Sequence, residues 1–199
     1  MNQIRLCIRR QLAVQDVVER LSGEDSLTLV PVSDQVNEQQ YDEYYAFVMN
    51  DGITMIYMIV DRATSLPYML LHGPLAAQSA WLLQMLGIVD NKEKVQAHCL
   101  EVTHVDDKID AICRLGIATY MDEAQPEVLD IFQRYMRDAD ARVRQSAIFA
   151  TSFIGWQEFE PLLQIALEHD PDERVTMIAQ SALRIMRESD WNYSDYSPN

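Results

Sequence analysis

Hydrophobic positions follow a strand period at the start of the chain and a helical one soon after. Ile4, Leu6 and Ile8 alternate with Arg5, Cys7 and Arg9, which predicts a short strand. From Gln11 the spacing lengthens. Val14, Val17, Val18 and Leu21 share one helical face, and Gly23 is a fitting stop. Ser26-Leu-Thr-Leu-Val30 predicts a strand ended by Pro31. Two further strand-like runs, Tyr44 to Met49 and Ile53 to Val60, flank Asn50-Asp51-Gly52. Asp-Gly between such runs predicts a type I′ hairpin, because glycine accepts positive φ without steric cost. Asp61 to Pro67 reads as a second turn, and Tyr68-Met-Leu-Leu71 as a further strand closed by Gly73-Pro74. The expected product is a small antiparallel sheet with the Gln11–Leu21 helix on one face. A competing reading makes Asp34 to Met49 a helix, since Val36, Tyr44, Phe47 and Val48 could share a face.

No strand pattern follows Leu75. Helices are predicted over Leu75–Leu86, with Gly87 as cap, and over Lys92–Val102, Gln125–Arg137, Asp140–Phe153, Gln157–His169 and Asp172–Arg187. Within this region Asp138-Ala-Asp-Ala-Arg-Val-Arg-Gln-Ser-Ala147 recurs 32 positions on as Asp170-Pro-Asp-Glu-Arg-Val-Thr-Met-Ile-Ala179. An echo begins at Asp106: Lys108 aligns with Arg142, Ile109 with Val143, Cys113 with Ala147 and Gly116 with Ala150, at an offset of 34. Small residues at those positions let two helices approach closely. A fixed period in the range of roughly 20–50 residues marks a solenoid, in which each helix pair buries its apolar side only against its neighbours.

The Asp-x-Asp-x-x-Val-Arg pattern followed by small residues, from Asp106 to Arg187, resembles that of HEAT-repeat proteins of the bacterial HEAT-like class. Asp110 and Thr176 stand where Arg144 supplies the arginine after the valine. The resulting fold class is α+β: a small antiparallel sheet with a helix at the N-terminus, then a short HEAT-like α-helical solenoid. The expected domains are residues 1–74 and 75–199. The Trp191-to-Tyr196 tail is expected to cap the far end of the array.

Composition narrows the function. A hydrophobic share of 48% suffices for a core, so the chain is expected to be globular. The formal charge of −15 argues against nucleic acid and anionic membrane as partners, because phosphates would be repelled. No apolar run approaches the roughly 20 residues of a membrane span. The start shows no signal-peptide pattern. Cys7, Cys99 and Cys113 have no close pair and read as reduced thiols of a cytoplasmic protein.

Catalytic motifs are not apparent. There is no glycine-rich phosphate loop, no Cys-x-x-Cys and no Gly-x-Ser-x-Gly, so no cofactor is implied. His98, Cys99, Glu101 and His104 are metal-ligand types, but their offsets do not bring all of them to one helical face, whereas zinc wants three or four converging ligands. Some HEAT-like proteins are chromophore lyase subunits or DNA glycosylases. For that enzymatic reading Cys99 and Cys113 are the residues to test by alkylation, and the acidic charge speaks against DNA.

The charge layout says more. Leu21 to Asp61 holds eight acids and no lysine or arginine, and Gln145 to Glu173 holds six acids and no such base. Tyr41-Asp42-Glu43-Tyr44-Tyr45 places tyrosines beside carboxylates, a composition common in interface hot spots. By the HEAT resemblance, Gln125–Arg137 and Gln157–His169 would line the concave side. Leu129, Phe132 and Met136, with Leu162, Ile165 and Ala166, are expected in the core. The candidate partner-binding residues are Asp42, Glu43, Tyr44, Glu127, Asp130, Gln133, Glu158 and Glu168. These point to a non-enzymatic module that binds a basic protein, such as an acidic inhibitor or immunity protein masking a bacterial toxin. The alternative is an adaptor or assembly subunit of a larger complex.

Overall fold

The computed structural model describes residues 3–30, 41–119 and 123–188. Of these, the residues up to 95 with 117–119 form one compact unit, and 96–116 with 123–188 form a second. The first unit contains β1 (Gln3–Ile8), α1 (Val14–Ser22), β2 (Leu27–Val30), β3 (Tyr41–Met49), β4 (Met55–Asp61), β5 (Pro67–His72), α2 (Ala76–Met85) and β6 (Val89–Asp90). The strands make one antiparallel sheet in the order β2-β3-β4-β5-β1-β6. Its core is apolar: Ile8, Leu21, Phe47, Ile56, Met58, Met69, Leu71, Leu83 and Ile88 are fully buried together. Val17, Val18 and Leu21 on α1 and Ala76 and Leu83 on α2 join that core, as the helical spacing of α1 predicts.

Three expectations change. The sheet does not end at residue 74. Leu83, Ile88 and Val89 belong to its core, and β6 pairs with β1 through Cys7↔Asp90 and Ile8↔Val89. A two-residue strand carries too little period to be read from sequence. The Asp34–Met49 helix is not formed where it can be followed, because 41–49 is strand; 34–40 lie outside the described residues. The β3–β4 connection is not a type I′ turn, which needs positive φ at two positions. Gly52 has φ 67°, and among the described residues Ser65 is the one non-glycine with positive φ. The Asp51 carboxylate organises the loop instead, accepting from Ile53 N–H at 3.0 Å, Thr54 N–H at 2.8 Å and the Thr54 hydroxyl at 2.6 Å. Thr54 Oγ1 also accepts from Leu75 N–H at 3.0 Å, tying this loop to the start of α2. Gly73, at φ 133°, sits so close that a Cβ would lie 2.7 Å from Thr54 Cα; no other residue fits there.

α3 (Lys92–Glu101) carries the chain into the second unit, where α4 (Val105–Ala118), α5 (Pro126–Tyr135), α6 (Ala141–Ile154), a 3-10 turn (Gln157–Phe159), α7 (Glu160–His169) and α8 (Glu173–Glu188) follow. The starts and stops are those the sequence signals. Asp140 caps α6 by accepting from Arg142 N–H, Gly155 ends it in the left-handed conformation, and Pro126 and Pro161 sit in first turns. α5 packs on α6, and α8 packs on both α6 and α7. Val143 and Ala147 on α6 and their equivalents Val175 and Ala179 on α8 are buried, as is Ala150, so the apolar repeated positions serve in packing, with Ala182 half-buried. Gly116 and Ala150, aligned in the repeat, meet in space: a Cβ on Gly116 would lie 2.7 Å from Ala150 O. Phe132, Phe159 and Trp156 complete this core, with ring centroids 4.9 and 5.7 Å apart along the row. The expected tail cap, 191–196, lies outside the described residues.

Candidate protein-binding surface

Cations of the second unit are largely consumed by the repeat itself. Arg144 on α6 is nearly buried. Its Nε and Nη2 donate to the two Asp170 carboxylate oxygens at 2.7 and 2.8 Å, and its Nη1 donates to the carbonyls of Asp138 at 2.9 Å and Ala139 at 3.1 Å. Burial alone would raise the Asp170 carboxyl. The Arg144 bonds, the Asp172 N–H and the guanidinium charge outweigh it and hold the group below the usual carboxylate range.

One repeat earlier the equivalent Asp138 accepts from Lys108 Nζ at 2.6 Å. Asp110 occupies the position that should carry the arginine, and the lysine two residues before it makes the rung instead. Sequence alignment placed Lys108 opposite Arg142, not in this role; the signal that could have found it is the equivalence of Asp138 with Asp170. Asp140 and Asp172 hold Arg142 and Arg174 in matching local bonds, with Arg142 also 3.4 Å from Asp106. Arg114 pairs with Asp110, and Arg187 with Glu160.

Several acids outside these pairs face solvent. Glu127 and Asp130 are exposed on α5, one turn apart, and Gln133 follows half-buried at the same spacing. Val128, Ile131, Phe132 and Tyr135 take the buried side of that helix. Glu127, Asp130 and Glu158 have no ion-pair partner among the described residues. Glu158 is exposed on the 3-10 turn and Glu168 in the last turn of α7, so the two stand at opposite ends of one segment. Glu168 accepts from Gln164 Nε2.

Two core expectations need correction. Leu163 and Ala166 make the buried stripe of α7, while Ile165 is 52% exposed and Leu162 half-buried. Phe159, Leu163 and Ala166, spaced by four and three, form the side turned to the core, so Leu162 and Ile165 fall off it. On α5, Phe132 and Met136 are buried but Leu129 only half.

In the first unit Tyr44 lies on β3, half-buried, with its ring 5.7 Å from that of Tyr57. Burial, then the neighbouring Tyr57 and Tyr68, pushes its hydroxyl well above the ordinary phenol range. The side chains of Asp42 and Glu43 lie outside the described residues.

Cys99 is buried and its thiol donates to the Ala111 carbonyl at 3.3 Å; burial pushes it up to about 12. A thiol so placed is a poor nucleophile. Cys7 and Cys113 are also buried and form no disulfide. Among the described residues no group of three His, Cys, Asp or Glu is placed to hold a metal ion, and no helix is long and apolar enough to cross a membrane. No protein-family model, curated protein or solved structure matches the chain.

Proposed function

We propose that the chain is a non-enzymatic protein-binding module of HEAT-like construction, and that it is an acidic inhibitor or immunity protein which captures and masks a basic protein such as a bacterial toxin. One observation carries the reading. Arg114, Arg142, Arg144, Arg174, Arg187 and Lys108 are tied to carboxylates within the second unit, whereas Glu127 and Asp130 stand exposed and unpaired on one face of α5. Six cations are paired internally, while Arg134, Arg137 and Arg184 are exposed with no carboxylate partner among the described residues, so acids outnumber free cations on that surface, which steers a basic partner and masks a cationic site. The cytoplasm, where buried thiols stay reduced, suits the role.

The test uses the purified chain as bait in lysate of its source, at low and at high salt, with mass spectrometry of what is retained. The same capture is run with a Glu127→Lys/Asp130→Lys variant. The expected result is one basic protein, released by salt and lost with the variant. Capture that ignores both salt and charge reversal refutes the reading. It would favour the adaptor alternative, for which the exposed Ile165, Met177 and Ile185 are the relevant contacts.

A further inference from the structure

β2 is an edge strand, and its hydrogen-bond parity can be worked out. Asn50 N–H donates to the Ser26 carbonyl at 3.2 Å, one step beyond the Leu27↔Met49 register. Bonded and non-bonded pairs alternate in an antiparallel ladder. Thr28↔Val48 and Val30↔Ala46 are therefore the bonded pairs, and Leu27 and Leu29 turn their backbone groups away from β3. Leu27 N–H is taken by the Glu24 carbonyl at 3.0 Å. Among the described residues, Leu27 C=O and both the N–H and C=O of Leu29 have no partner.

Natural sheets guard such edges with lysine, proline, a bulge or brevity. At the other edge β6 has only two residues. β2 has no lysine and no proline between Leu27 and Val30, and its Leu29 side chain is 46% exposed.

We infer that the outer edge of β2 is a strand-addition site for an extended lysine- or arginine-rich segment of a partner protein. Main-chain bonds to Leu27 and Leu29 would hold the segment in place. Charge selects the occupant. Glu24 and Asp25 precede the strand, and the Asn50–Ser26 bond sets the Asp51 loop beside its start. No lysine or arginine occurs from Leu21 to Asp61. A second copy of β2 would bring the same carboxylates against these, so self-pairing is opposed and a cationic strand favoured. The sign of the partner's charge rests on the capture reading above; the edge geometry does not.

The test is a fluorescence-anisotropy titration of the full chain with a labelled, blocked Lys-Val-Lys-Val-Lys-Val-Lys peptide, beside its glutamate counterpart. Leu29→Pro removes an N–H that β3 does not use and should leave the circular dichroism spectrum unchanged. The lysine peptide is expected to bind saturably, the glutamate peptide not, and Leu29→Pro to weaken binding by about tenfold or more while Leu29→Thr retains it. A lysine peptide N-methylated at alternate residues should lose binding to the unmutated chain, which decides the matter if the proline variant does not fold. Undiminished binding by the folded proline variant or by the N-methylated peptide overturns the site, as does a dimer of the unmutated chain that Leu29→Pro dissociates. A basic protein captured equally by the unmutated and Leu29→Pro chains overturns the edge and leaves the capture reading standing.

Discussion

Arg144→Met is the sharpest perturbation of the second unit. The pair it breaks is nearly sealed, with side-chain exposures of 11% for Arg144 and 6% for Asp170. Methionine keeps the length and the packing of the stem but removes the fork. Asp170 then keeps a buried charge with only the Asp172 N–H to answer it, and the carbonyls of Asp138 and Ala139 lose their shared donor. Breaking a buried pair from one side costs about 3–5 kcal/mol, most of it from the charge left behind. The lower end, about 3 kcal/mol, is appropriate because some solvent reaches Arg144. For a chain of this size each kcal/mol is worth roughly 2–4 °C, so the melting midpoint should fall by roughly 6–12 °C. Urea unfolding followed by far-ultraviolet circular dichroism gives the loss directly, with the slope unchanged. Arg144→Met/Asp170→Leu should recover most of it, since replacing both partners leaves no orphaned charge. A single-variant loss under about 1 kcal/mol, or a double variant no better than the single one, would refute this account of the rung.

The same rungs set an acid limit. The carboxyls of Asp138, Asp140 and Asp170 lie below the usual range in the fold, and hydrogen bonds from the Arg174 side chain hold Asp172 at about 2. A carboxylate depressed by folding contributes fully above its unfolded value of about 3.9 and loses that contribution as pH falls through the folded one. Urea midpoints should therefore be flat from neutrality to about pH 5 and fall from pH 4 toward 2, less steeply in Arg144→Met; a flat profile to pH 2.5 would contradict this. Gly116→Ala should destabilise by roughly 1–3 kcal/mol despite alanine's better helix propensity, because the new methyl meets the Ala150 carbonyl at 2.7 Å; calorimetry showing a gain would mean that α4 and α6 separate freely. Cys99 should resist iodoacetamide at pH 8 in the native chain and react once urea opens it. Rapid native labelling of Cys99 would revive the enzymatic reading.

Local chemistry alone determined most of the elements. The period-two run at Ile4–Ile8, the helical stripe Val14–Leu21, the glycine stops and the Asp138/Asp170 repeat each involve residues close in the chain, so β1, α1, α6 and α8 were legible without tertiary context. The exposed Glu127–Asp130 face of α5 was legible for the same reason, because spacing by three places both acids opposite the apolar stripe. What sequence left open depends on distant partners. β6 exists only because Cys7 and Ile8 offer it an edge. The Asp51 loop replaces a two-residue turn because Thr54, wedged against Gly73 and the start of α2, takes the second carboxylate oxygen. Lys108 fills the rung where Asp110 has displaced the arginine, because Asp138 lies within its reach in space and is thirty residues away in sequence. Periodicity reports which face of an element is apolar. Which element covers that face, and which backbone edge stays open beside Leu29, is settled only when the chain closes on itself.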